Sequence, residues 1–532
     1  PERFSGIPVR DTGNSLIIPG LVDLHLHAPQ YAFRGTHMDL ELLDWLNTVT
    51  FPEEARYQDP SYAKKAYSIF AEDMRKSATT RASVFGTLHR ESTELLMELM
   101  EQTGLITYIG KVNMDRNSPD ELREKDARTS SENTIQWLRD IAGKYKNTKP
   151  ILTPRFIPSC TDELMKLLAD IQRTYRLPVQ SHLSENQGEI AWVKELCPDS
   201  AFYGDAYDHF GLFGGEACPT IMAHCVYSSN EEIALLHKRG VFVAHCPQSN
   251  TNLSSGIAPV RKYLDEGLHI GLGTDIAGGH SLSMLRAVAD TIQVSKLCWR
   301  LVDESLKPLS LEEAFYLATM GGGAFWGKTG SFLEDYEFDA VILSDEQLPC
   351  PHSLTPLERL ERLIYLGDDR CILAVNPNIL SASGMDRGSV FTATALSAFI
   401  ASCLMALLSN YPFVLAPGMG LNAYFTYTVV LGMGYTWQQA LSAVCVEGII
   451  FILLSLTNVR EAIFNSIPMN LKHAVSVGIG LFIAFIGLQN AKIVVNNDST
   501  LVSIFSFKSS VSDGTFHSQG ITVLLALIGI LI

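Results

Sequence analysis

A chain of 532 residues with a formal net charge of −16 is too long for one average domain, and it has no Lys/Arg cluster or basic-aromatic interleaving, which excludes a nucleic-acid-binding surface. Its ten cysteines include no C-x-x-C pair, which excludes a regular disulfide framework and reads as reduced thiols. Charge also divides the chain: residues 371–532 hold five basic and five acidic residues, so the whole −16 lies in 1–370, and 59 residues free of Asp, Glu, Lys and Arg separate Arg387 from Glu447.

The chain opens at Pro1 without Met and with no signal peptide, so an N-terminal piece is expected to be absent. Residues 17–27 (IIPGLVDLHLH) are predicted to form one buried strand ending in histidines. Strand-like runs follow at 82–88, 106–112, 151–157, 178–182, 220–224, 241–245 and 268–274, with helical stretches at 61–76, 131–146, 161–174, 229–239 and 311–320. This alternation, with polar residues at strand C-terminal ends, predicts a (β/α)8 TIM barrel over 19–330, whose catalytic groups come from that rim. Residues 336–343 are predicted to add a strand to a small accessory sheet, and 1–18 with 331–370 to form a partial β-sandwich. GGG at 321–323 is expected to end a helix, since the strand–G-x-G-x-x-G–helix context of a phosphate loop is missing.

After Arg370 the pattern is that of a membrane protein. Runs at 393–408, 437–456 and 473–489 approach the ~20 apolar residues that cross a bilayer, so 371–532 is predicted to be an all-α transmembrane fragment.

The chemistry-bearing residues are at strand ends. His25 and His27, one residue apart on a strand, project to the same face. His182, His224 and Asp275 each end a later strand candidate. Singly, each reads as readily as a satisfied core histidine or a helix-capping aspartate; together they point to a metal, and three histidines with one carboxylate suit Zn²⁺ with a position left for water. His245 also ends a strand, where it either shapes the pocket or packs. Trp45 and Phe51 either close the pocket or belong to the core.

The segments PGLVDLHLHAPQYAFRG, TPRF, SHLSEN, MAHC, AHCPQSN and GLGTDIAGG, in this order, resemble the amidohydrolase superfamily. HAPQY, ELLDWL followed by TFP, and LIYLGDDR narrow the likeness to its guanine deaminase family, over about 15–370. The resemblance implies hydrolysis of guanine to xanthine and ammonia, with His25, His27, His182 and Asp275 on one zinc per chain, Fe²⁺ being the alternative metal. One metal is expected and not two, because the fourth-strand stretch ILTPRFIP has Arg155 and no lysine. By the same resemblance, His27, Gln30, Arg155, Phe156, His182, Glu185 and Asp275 surround the purine, and the deaminase is a cytoplasmic homodimer.

Zn²⁺ lowers the pKa of water from ~16 towards ~7, and Asp275 is placed to accept the released proton. Glu185, three residues past His182, is placed to protonate the ring and then the departing amine, while His224 orients the attacking hydroxide. Arg155 and Gln30 offer donors for the guanine carbonyl and ring edge. The alternatives are another deaminase or chlorohydrolase of the superfamily, or a purine nucleobase transporter whose soluble part only regulates it.

NPNILSASGMD, APGMGLNAYFTYTVVLGMGY and SIPMNLKHAVSVGIGLFIAFIGLQNA resemble the guanine/hypoxanthine (AzgA-like) nucleobase permeases. The resemblance covers about a third of such a carrier, and the chain ends before the later helices. It is expected to be membrane-associated if those helices insert, and to carry no complete transport path. A reading frame joining two purine-salvage neighbours accounts for the abrupt junction at 370–371.

Overall fold

The computed structural model describes residues 12–372, together with 439, 441, 442, 444, 493–497, 501–507 and 523–524. The chain divides into two compact units, Pro1–Leu373 and Ala374–Ile532.

In the first unit, the strands in chain order are β1 (Leu16–Pro19), β2 (Leu21–His27), β3 (Thr79–Phe85), β4 (Ile106–Gly110), β5 (Val112–Asn113), β6 (Thr148–Pro150), β7 (Thr153–Pro154), β8 (Val179–Leu183), β9 (Thr220–His224), β10 (Phe242–His245), β11 (His269–Leu272) and β12 (Ala340–Leu343). Parallel pairing runs β2-β3-β4-β6 and β8-β9-β10-β11, with β5 on β7. The Leu152↔Val179 bridge joins the two halves on one side. On the other, the His27 N–H donates to the Ile276 carbonyl at 2.9 Å and the Asp275 N–H to the His25 carbonyl at 2.8 Å. These bonds close eight staves into a barrel, with helices such as Pro60–Lys76, Asp162–Tyr175 and Met284–Leu297 covering its apolar outer face.

Several boundaries differ from those the sequence predicts. The expected 17–27 strand is two strands in different sheets: β1 pairs antiparallel with β12, and β2 opens the barrel. The chain crosses between them at Gly20, where a Cβ would collide with Thr80 and Asp339. The fourth stave, expected as 151–157, is the pair of fragments β6 and β7, because Pro150 and Pro154 donate nothing to a ladder. The helix expected over 131–146 is Ala127–Ile141, started by the Asp126 side chain accepting from Thr129 N–H.

Val22, Leu24, Ile151, Ile221, Ala223, Phe242, Ala244 and Phe325 fill the barrel interior. The β2–β3 register slips by one residue between Asp23 and Leu26. This bulge shifts the side-chain alternation, so that His25 and His27 share the interior face with Val22 and Leu24. Gly271 lets β11 pass close to β2: a Cβ there would lie 2.5 Å from Leu24 Cδ1 and 2.6 Å from Gly322 Cα. Gly271→Ala is therefore expected to cost about 1–3 kcal/mol through overpacking, read as a lower urea midpoint with an unchanged slope.

The expected membrane spans at 393–408, 437–456 and 473–489 fall almost wholly outside the described residues. Among the described residues no helix is long and apolar enough to cross a membrane. The second unit is not all-α: β13 (Val494–Asn497) and β14 (Leu501–Ile504) pair antiparallel from Val494↔Ile504 to Asn497↔Leu501. The sequence IVVNNDSTLVSI carries the reason, β-branched runs on either side of a polar stretch.

Candidate active site

The polar groups converge where the interior strands end. His25 Nε2 lies 3.2 Å and His27 Nε2 3.5 Å from Asp275 Oδ1. His27 Nε2 and His182 Nε2 are 3.2 Å apart. His224 Nε2 faces Glu185 Oε2 at 3.4 Å and Asp275 Oδ2 at 3.8 Å. Ordinary strand alternation, with Ile221 and Ala223 inside, would turn His224 outward; its φ of 74°, followed by 48° at Cys225, turns it in. Ser184 and Asp275 also have left-handed backbone, with φ of 47° and 45°. Such conformations cost about 1–3 kcal/mol each and persist where surrounding bonds over-determine them.

Those bonds are present. Asp23 accepts from Thr274 N–H at 3.0 Å and from its hydroxyl at 2.5 Å, pinning the β11 end against β2. The Ser184 hydroxyl donates to Glu232 at 2.8 Å, the Glu185 N–H to Glu189 at 3.2 Å, and Tyr203 to the other Glu189 oxygen at 2.7 Å. Buried carboxylates thus hold the turn that carries Glu185.

The donor set fits a divalent cation. His25 is fully buried; its Nδ1 has no hydrogen-bond partner among the described residues, and its Nε2 faces Asp275 Oδ1 at 3.2 Å. His182 Nδ1–H donates to the Arg155 carbonyl at 2.6 Å and His224 Nδ1–H to Asn250 Oδ1 at 2.9 Å, so both rings turn their Nε2 atoms inward. Two ligand groupings meet a metal's spacing, His25 with His27 and His182, and His25 with His224 and Asp275. His224, expected only to orient the nucleophile, therefore also lies within ligand distance.

Loss of hydration pushes His25, His27 and His182 below the usual histidine range, leaving the neutral rings a metal requires. Burial would raise the Asp275 carboxyl, but His25, then His224 and His27, hold it well below the usual range. Glu185 is pushed up to about 8 by burial, reinforced by Asp275 and partly offset by the Ser255 hydroxyl.

These residues open on a cavity of about 420 Å³, mouth included, lined also by Gln30, Trp45, Arg155, Phe156 and Leu253. Every residue singled out from the sequence for the metal or the purine, except the enclosed His25, borders it. Trp45 lines the cavity and Phe51 lies beneath the Arg155 guanidinium, 5.2 Å from ring centre to Cζ. His245 does not belong to the site: it projects outside the barrel towards Thr291 and Ser295 of the helix Met284–Leu297. Sequence reasoning missed Glu54, which binds both Arg155 and Gln30, and Glu189 behind Glu185. Glu54 directly follows the TFPE run beside ELLDWL, the one sign in the sequence that it belonged with the motif.

Comparison with known proteins agrees with this geometry. Residues 16–376 match the amidohydrolase family, and 371–531 match a permease family. A guanine deaminase from Dictyostelium discoideum is 42% identical over 370 residues, covering 68% of this chain and 81% of that protein. One from Rattus norvegicus is 41% identical over 383 residues, covering 69% and 83%. The crystal structure of guanine deaminase from C. acetobutylicum with bound guanine superposes with a TM-score of 0.68 at 50% identity, covering 70% of this chain and 88% of that one. The chain belongs to the amidohydrolase family and, within it, to the guanine deaminases, with a permease-family region joined at residues 371–376.

Proposed function

We propose that this chain hydrolyses guanine to xanthine and ammonia, with one Zn²⁺ held by His25, His27, His182 and Asp275. The observation that carries this reading is one cavity bordered by the inward-facing histidines, by a buried carboxylic acid at Glu185, and by the Arg155–Gln30 donor pair beside Phe156. When bound, the metal supplies hydroxide at neutral pH by lowering the pKa of water to about 7.

The chain's own residues do the rest. Phe156 offers a ring face to the purine, and Arg155 and Gln30 turn N–H donors to its carbonyl edge. Glu185, still protonated at neutral pH, gives its proton to the purine ring nitrogen beside C2. The C2–O bond forms, and collapse of the tetrahedral carbon breaks the C2–N bond. Asp275, which favours its ionised form, takes one water proton only transiently, and that proton leaves with the amine as ammonia. The proton of the C2 hydroxyl returns to Glu185 as the carbonyl forms and restores its acid form. His224, anchored through Nδ1–H on Asn250, keeps Nε2 towards the attacking oxygen.

The test is guanine turnover by the full-length chain, followed as xanthine and ammonia in equal amounts. A chelator is expected to abolish it and stoichiometric Zn²⁺ to restore it. Restoration by Fe²⁺ alone would change the metal. Turnover of adenosine or a triazine without guanine would overturn the substrate.

A further inference from the structure

Arg155 and Gln30 share a partner that lies behind the cavity wall. Glu54, in the short helix Phe51–Ala55, accepts from Arg155 Nη1 at 2.6 Å through Oε2 and from Gln30 Nε2 at 2.9 Å through Oε1. All three residues are buried, with 2–3% exposure. The Gln30 carbonyl in turn accepts the Ala277 N–H at 3.2 Å, so the amide cannot flip without losing both bonds. The guanidinium is therefore fixed between a carboxylate on one side and the cavity on the other, and the charge of the pair sums to zero. In a buried site that balance matters, because charges interact several-fold more strongly there than in water.

We propose that Glu54 is a positioning and specificity-determining residue: it aims Arg155 and Gln30 at the purine carbonyl edge and cancels the arginine charge, so that a neutral 6-oxopurine is held in preference to its more acidic hydrolysis product. The inference rests on the guanine-to-xanthine reading. Hydrolysis replaces the amino group at C2 with a second carbonyl, flanked by ring N–H groups, which makes the product a stronger N–H acid than the substrate. Above neutral pH the product is increasingly anionic. An unbalanced arginine would retain that anion in the site; an arginine matched by Glu54 lets it leave.

The test is steady-state kinetics of full-length Glu54→Gln at about pH 8.5, with xanthine as added inhibitor. Glutamine keeps the shape but removes the charge. KM for guanine is expected to rise about tenfold or more, the scale of a lost charged hydrogen bond, while xanthine inhibits at a severalfold lower concentration. That tightening should fade at pH 6, where xanthine is neutral, and should vanish in Glu54→Gln/Arg155→Met. A merely structural role would weaken guanine and xanthine together. Xanthine inhibition that is unchanged or weaker, or an unchanged KM, overturns the proposal. Should Glu54→Gln not fold, Glu54→Asp keeps the charge with a shorter reach: a raised KM with unchanged xanthine inhibition supports the proposal, and an unchanged KM, or xanthine weakened in step with guanine, overturns it. A wild-type chain that turns over no guanine removes the functional reading and this one together, whereas an active wild type with a non-conforming variant removes only this one.

Discussion

Glu185→Gln lowers kcat for guanine by about 10²–10⁴-fold, the range general acid–base groups contribute, while bound metal per chain stays at the wild-type value. The amide is nearly isosteric and still accepts the 3.1 Å bond from Ser255, so the cavity keeps its shape and loses only a transferable proton. The sign of the pH dependence follows from the direction of the shift. Glu185 is raised to about 8, so the form that can donate is present below that pH and lost above it. Wild-type kcat is expected to fall along an alkaline limb near pH 8, and the residual rate of the variant should lack that limb. Turnover within threefold of wild type would assign the proton transfer to another group.

Asp275→Ala removes both the metal and turnover, with kcat reduced by roughly 10³-fold or more, since metal activation supplies several kcal/mol of transition-state stabilisation. The effect is chemical and does not come from unfolding. The Asp275 N–H still reaches the His25 carbonyl at 2.8 Å, and Thr274 stays pinned on Asp23. Elemental analysis alongside the unfolding midpoint separates the two: metal lost with the midpoint of the metal-free wild type is expected. Retained stoichiometric metal with full activity would contradict the ligand assignment.

What the sequence reveals about this molecule depends on how locally each feature is determined. His25, His27, His182, His224 and Asp275 are legible because each lies near or just past the C-terminal end of a short strand and carries the polarity that an interior strand otherwise lacks. The barrel is legible from alternating strand and helix patterns. The breaks are harder. The turn at Gly20 answers to Thr80 and Asp339, far along the chain, and the β2 bulge is a matter of pairing with β3. Glu54 is invisible for the same reason: its partners lie 24 and 101 residues away, and alone it reads as one more acid in an acidic helix. Glu189 looks like a solvated helix charge until Tyr203 and the Glu185 backbone close on it. The inward turn of His224 rests on a backbone conformation that no side-chain pattern encodes. His245, by contrast, obeys simple alternation and points away from the chemistry. In the second unit hydropathy alone leads to an all-helical expectation, and the β-branched residues around Asn496 and Asn497 are the local signal that contradicts it.

Closing the barrel between β2 and β11 also sets an order of events at the ribosome. Asp23 and Thr274 are 251 residues apart, and at about 5–20 residues per second the interval between their synthesis is roughly 10–50 s. Throughout that wait the first interior strand, with His25 and His27, has no neighbour on its open side, and an unpaired apolar edge invites pairing with other chains. The candidate metal site is therefore completed late, when Asp275 emerges. On the ligand set proposed above, no nascent fragment ending before that residue can complete the site.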